Sequence, residues 1–242
     1  MEQLTQILGS PQAYIILQIL VGVIFVASMW VSFLLKRKFA YYSKIPNPLW
    51  WTWAQTAQAI ANQEGINITI KQWEWILTDY YNPLNKTIVL SPQVYNGKSI
   101  ASVAVAAHET GHALQDAHHY PLLKLRSAIV PFVNIGTSAW MWLILLGFFL
   151  QMSPLLLVWI VLYGLVVIFY LITLPVEIDA SARAVKKLRE LGFFDSIWDD
   201  KTQKWVINFL FRAGMTYFLA LASALVELLR LISIFFQMQR RD

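Results

Sequence analysis

The sequence predicts a mainly α integral membrane protein of about four transmembrane helices that also carries a small cytoplasmic α+β domain. Three observations lead there. Of 242 residues, 57% are hydrophobic and only 14% charged, with a mean hydropathy of +0.52, which leaves too little polar surface for a soluble chain of this length. Uncharged runs long enough to cross a bilayer recur along the chain. The segment 37–126 between the first two runs has ordinary mixed composition, as a folded domain outside the membrane requires. The net charge of +5 and pI near 9.4 come from basic residues that flank the apolar runs, where they orient spans, so no nucleic-acid partner is expected. With no cysteine, there is no disulfide framework and no thiolate nucleophile or metal ligand. Any metal must be held by histidine and carboxylate.

Residues 1–36 read as an N-terminal signal-anchor helix. Ala13 to Leu35 is free of charge and spans about 35 Å as a helix. Lys36-Arg37-Lys38 follow it, which places the next segment in the cytoplasm. Residues 37–126 form the cytoplasmic domain. Asn82-Pro83 and Asn96-Gly97 are turn signals, Thr87 to Leu90 is a short strand candidate, and Ser99 can cap a helix running to about Ala117. Residues 127–176 form a transmembrane hairpin. The uncharged stretch Ser127 to Val176 is about twice the length one crossing needs, and Gln151-Met152-Ser153-Pro154 is its turn-like interruption. Lys124 and Arg126 before it, with Arg183, Lys186 and Lys187 after it, put both ends in the cytoplasm. Residues 177–205 return as a polar cytoplasmic segment that should meet the first. Residues 206–242 read as a fourth span or a membrane-packed helix, in which Glu227 and Arg230, three apart, can neutralise each other.

All four histidines, His108, His112, His118 and His119, lie close together, and His108-Glu109-Thr110-Gly111-His112 is a His-Glu-x-x-His (HExxH) run on the predicted helix. Four residues of helix bring the second imidazole back to about 40° from the first, so both can ligate one zinc ion while Glu109 projects towards a metal-bound water. Zinc makes such a water acidic, and the glutamate takes its proton as it attacks a carbonyl.

A catalytic zinc keeps three protein ligands, so one more residue is needed. His118 stands ten residues after His108, the metzincin spacing, but that motif turns the chain at a glycine where this sequence has Gln115. The competing candidate is Glu177 in Leu174-Pro175-Val176-Glu177-Ile178-Asp179-Ala180-Ser181, where the hairpin re-enters the cytoplasm. Pro175 suits a helix start, and Ala180 with Ser181 makes a small-residue face that the metal helix can approach closely. Asp179 points about 200° away from Glu177 on such a helix, which suits a supporting role better than ligation. Insertion of the hairpin brings His112 and Glu177 to the same membrane surface.

At these residues the chain resembles the YugP-like bacterial membrane zinc metallopeptidases, neutral zinc peptidases of the gluzincin type. The resemblance covers most of the chain. It is most specific in Leu77 to Pro83 with Val89 to Ser91, in Ala106 to Gln115 continuing through Pro121 to Ser127, and in Leu174 to Ser181. It implies a zincin-like domain in which His108, His112 and Glu177 are the zinc ligands and Glu109 is the general base. It also implies that the strand Thr87 to Leu90 is the edge on which an extended peptide is aligned. Other membrane gluzincins carry an aspartate four residues after the ligand glutamate. Here that position is Ser181, which leaves open what supports the metal histidines. Tyr120 and Arg183 are oxyanion candidates by proximity in sequence alone.

The expected function is a multi-pass plasma-membrane zinc metalloendopeptidase with its active site on the cytoplasmic side. Its partners are the lipid bilayer and a polypeptide substrate, membrane proteins among them. The alternative is a catalytically silent membrane scaffold or regulator that retains the zincin fold. Retention of Glu109 opposes it, since a structural zinc site wants a fourth protein ligand and no base. An intramembrane protease is disfavoured by Gln115, Asp116, His118 and His119, which make the metal helix too polar for lipid. A metal carrier is disfavoured by the uncharged hairpin.

Overall fold

A computed structural model describes residues 6–72, 79–91, 95–134, 153–197 and 199–239. Its elements in chain order are α1 (Pro11–Tyr42), α2 (Trp53–Gln63), β1 (Thr69–Gln72), β2 (Tyr80–Asn82), β3 (Thr87–Leu90), α3 (Ile100–Ala117), α4 (Ser153–Glu190) and α5 (Asp200–Gln239). Residues 121–134 are also helical. Among the described residues, three helices are long and apolar enough to cross a membrane: Pro11–Tyr42, Leu156–Glu190 and Asp200–Gln239. Residues 135–152, which hold the greater part of the descending leg of the expected hairpin and half of its turn, lie outside the described residues, as do Leu77 and Thr78.

The chain divides into two compact units. One comprises Met1–Val31, Leu125–Leu174 and Thr216–Asp242; the other comprises Ser32–Lys124 and Pro175–Met215. In the first unit the apolar side chains face outwards. Ile15, Ile19, Val23 and Val26 of α1 are each more than half exposed, as helices bathed in lipid rather than water would be. Its small core is Val167, Leu221 and Ala224, with Tyr163, Tyr170, Leu174 and Leu228 against them. Arg230 donates to Glu227 through Nε (2.8 Å) and Nη2 (2.5 Å) and to Gln18 Oε1 through Nη1 (3.4 Å), so the mutual neutralisation expected of this pair is present.

The second unit is organised around α3. Ser99 caps it, accepting from the Ser102 backbone N–H, and an unbroken run from Ile100 to Ala104 is buried along with Ala106, Ala107 and Leu114. All of the apolar ones but Ala106 pack on Ile60 of α2 and on Ala184, Leu188, Phe193, Trp205, Val206 and Leu210 in one cluster, and Ala106 joins Trp53, Ala57, Ile88 and Leu90 in another. Helix α2 is started by a reciprocal capping box between Thr52 and Gln55. Behind α3 lies a three-stranded sheet of order β1-β3-β2, with β3 parallel to β1 and antiparallel to β2.

Two expectations need correction here. Thr87–Leu90 is a strand, but β3 is the central one, hydrogen-bonded on both sides and buried along its whole length. It therefore has no free edge for a peptide, and among the described residues β2 is an edge strand instead. Pro175 does not start a helix either; it lies inside α4, which runs unbroken from Ser153 to Glu190. The missing N–H of a proline removes one rung of the ladder, yet the flanking turns continue, so one helix carries both the apolar run and Glu177.

Candidate metal centre

The centre is built by α3 and α4. His108 and His112, one helical turn apart on α3, hold their rings edge to face with centroids 4.9 Å apart. Glu177 of α4 meets both: its Oε2 is 3.2 Å from His108 Nε2 and its Oε1 3.7 Å from His112 Nε2. One ligand atom from each of the three falls within 4.8 Å of the others. Two ligand atoms each bound to a tetrahedral zinc at about 2.0–2.1 Å stand about 3.4 Å apart, so each carboxylate–imidazole contact is close to the spacing such an ion needs, while the three ligand atoms together span up to 4.8 Å. The donor set of two imidazoles and one carboxylate, with no thiolate, is also that of a catalytic zinc rather than a structural one. These three residues could hold the metal.

The close approach of the helices has a specific cause. A Cβ on Gly111 would lie 2.5 Å from the carbonyl oxygen of Ala180, so the middle of the motif must be glycine for α3 to lie against α4. Ala180 is fully buried there, and the small-residue face expected of α4 is where the approach occurs. Ser181, one residue on, places its hydroxyl 3.3 Å from His108 Nδ1 and donates to the Leu210 carbonyl (3.0 Å).

Glu109 lies beside the three. Burial pushes its carboxyl up to about 7, helped by the negative charges of Glu177 and Asp79 and opposed by His108 and by the backbone N–H of Tyr81. Tyr81 belongs to β2, and its hydroxyl donates to Asp116 Oδ2 at 2.9 Å, so β2 is fastened to α3 at both backbone and side chain. Asp79 accepts from the Ser91 backbone N–H at 2.9 Å. Burial raises its carboxyl, and these Ser91 bonds oppose the rise.

His118 is not part of the group. It caps the end of α3, His119 follows in the left-handed conformation (φ 55°), and its ring contacts Arg183 Nη1 at Nδ1 (2.9 Å) and Glu64 at Nε2 (3.6 Å). Arg183 also donates to Asp179 Oδ2 at 2.6 Å and lies over the Tyr120 ring. The two oxyanion candidates are thus engaged with each other and with Asp179. The sequence reading assigned no role to Gly111, Gln115 or Tyr81. Gln115 is three residues after His112, on the same helical face, and that spacing was the available signal. Tyr81 carried none, because its approach to Glu109 depends on sheet pairing.

Two imidazoles on α3 beside the half-buried Glu109, closed by a carboxylate from a second helix, form a group that could hold a metal ion, with the donor set of the zinc peptidases. The sequence family described as "Putative neutral zinc metallopeptidase" matches residues 17–236, and the chain belongs to that family. It is 37% identical over 209 residues, 86% of this chain and 91% of the relative, to the "Putative membrane protease YugP" of Bacillus subtilis (strain 168). No solved structure matches it.

Proposed function

We propose that the protein is a zinc endopeptidase of the gluzincin type that cleaves polypeptides at the cytoplasmic face of the membrane. The observation that carries this reading is the convergence of His108, His112 and Glu177 within 4.8 Å beside the half-buried Glu109. A zinc ion held by these three residues would supply Lewis-acid chemistry, polarising a peptide carbonyl and acidifying water. Glu109 then takes the proton of the attacking water and passes it to the leaving amine. The burial that raises this carboxyl in the metal-free protein favours its taking up that proton. The substrate backbone aligns along β2, the edge strand whose Tyr81 N–H reaches Glu109, rather than along β3. Lys36-Arg37-Lys38, Lys124 and Arg126 beside the apolar runs support the cytoplasmic side. Substrates that are themselves membrane-embedded fit a chain so rich in apolar helix.

The test is zinc content and peptide cleavage in the wild type, Glu109→Gln and Glu177→Ala. The proposal expects Glu109→Gln to keep zinc and lose cleavage, and Glu177→Ala to lose zinc. Undiminished cleavage by Glu109→Gln sinks the mechanism, and a zinc-loaded wild type that cleaves no polypeptide favours the silent scaffold.

A further inference from the structure

We propose that Ser181 and Gln115 are positioning residues that lock both metal-facing imidazoles in the tautomer with the proton on Nδ1, leaving each Nε2 lone pair aimed at the Glu177 carboxylate. This rests on the metal-centre reading above and assigns what holds its histidines in place.

The assignment follows from counting protons. The Ser181 hydroxyl has one proton, and at 3.0 Å from the Leu210 carbonyl it has an acceptor that can only accept. Its 3.3 Å contact with His108 Nδ1 is then one in which the ring donates. His108 Nδ1 carries hydrogen, and Nε2, facing Glu177 at 3.2 Å, is the basic atom. On the other ring, Gln115 Nε2 stands 2.8 Å from the Val176 carbonyl and 2.8 Å from Asp179 Oδ2. Both are acceptors, so the two amide protons are used there. A flipped amide would set oxygen against two oxygens, which fixes its orientation. Gln115 Oε1 therefore faces His112 Nδ1 at 2.9 Å and accepts its proton, and His112 Nε2 is left basic towards Glu177.

The two supports differ in what stands behind them. His108 donates to a neutral hydroxyl, where other membrane gluzincins carry an aspartate. His112 donates to an amide that is itself polarised by Asp179, and Arg183 holds that aspartate at 2.6 Å. Gln115 and Ser181 are almost completely buried, so water does not replace either bond when it is lost. A protonated Nδ1 hydrogen-bonded to the protein fixes ring orientation and strengthens Nε2 as a ligand; removing such a partner typically costs about 10- to 100-fold in metal affinity.

The experiment is zinc affinity by chelator competition on detergent-solubilised full-length protein, with [15N]histidine NMR of the zinc-loaded form. The variants are Gln115→Met, which keeps the volume and removes the acceptor, Ser181→Ala and His112→Ala. The expected result is Nε2 ligation with Nδ1–H in both rings, and zinc affinity reduced about 10- to 100-fold in Gln115→Met and Ser181→Ala. In addition, Gln115→Met should perturb only the His112 Nδ1–H signal and Ser181→Ala only that of His108, a selectivity that a packing defect would not produce. Ligation through Nδ1 in either ring overturns the proposal, as does wild-type affinity in both variants while His112→Ala loses zinc. If His112→Ala binds zinc like the wild type, the metal-centre reading itself has failed, and this proposal with it.

Discussion

Each of the two units contains a polar cluster among apolar helices, and the clusters are built on opposite plans. In the unit with the outward-facing apolar side chains, Arg230 closes on Glu227 with two bonds at 2.5 and 2.8 Å, so positive and negative charge cancel three residues apart on one helix. In the other unit, one ligand atom each of His108, His112 and Glu177 converges on a common centre, and the Nδ1 atoms of the two rings are turned away from it, to Ser181 and Gln115. A low-dielectric environment penalises both clusters. The first meets that penalty internally, and the second is a group that a cation from outside could complete. A closed ion pair therefore marks architecture, while a convergence of acceptors marks a ligand site.

Several substitutions would break or sharpen that contrast. The largest effect belongs to Glu109→Gln, which should lower kcat/KM for a peptide substrate by about 10²- to 10⁴-fold, the usual contribution of a positioned base, with zinc retained by metal analysis. Next is Glu227→Leu. It leaves Arg230 without its carboxylate and should cost about 2–4 kcal/mol, less than a fully buried pair because both side chains keep some exposure. Thermal unfolding in detergent would show this, and adding Arg230→Met should recover most of the loss. No comparable double replacement can restore zinc once His112 is gone. If the Glu227 and Arg230 pair instead proves indispensable for cleavage after stability is restored, the division into architecture and site is wrong.

Gly111→Ala comes third. The added methyl meets the Ala180 carbonyl at 2.5 Å, which forces α3 and α4 apart and should cost about 1–3 kcal/mol together with weaker zinc binding. The smallest effect is on the pH dependence of stability. The Glu109 carboxyl is raised by burial from 4.5 to about 7, so in zinc-free protein the folded state binds its proton more tightly than the unfolded one. Its contribution is fully present below about pH 4.5 and is lost as pH rises through 7. Glu109→Gln should therefore stabilise the chelator-treated protein at pH 8, by at most about 3 kcal/mol, and have little effect at pH 4.5. Denaturant titrations at the two pH values would measure it.

The parts of the molecule legible in the sequence were those set by local chemistry. Ser99 announced the start of α3, the turn at Asn82-Pro83 and the strand after it were placed by their residue types, and one helical turn brought His108 and His112 together. The pairing of Glu177 with them was legible because residue spacing was joined to the expected return of the chain. What was not legible depended on partners distant in sequence. The central position of β3 comes from its parallel pairing with β1, which no turn signal between them encodes. The continuity of α4 through Pro175 reflects long helical flanks overriding a local breaker. Gln115 was read against a glycine in another motif, when its meaning lay in the carbonyl of Val176 and the carboxylate of Asp179 on α4.

The most direct test of the metal centre is zinc-edge X-ray absorption on the purified full-length protein. The account predicts one zinc per chain in a four-coordinate nitrogen and oxygen shell containing two imidazoles, with nitrogen at about 2.0–2.1 Å, and collapse of that shell in Glu177→Ala. A third imidazole in the shell, lost on His118→Ala and indifferent to Glu177→Ala, would contradict it.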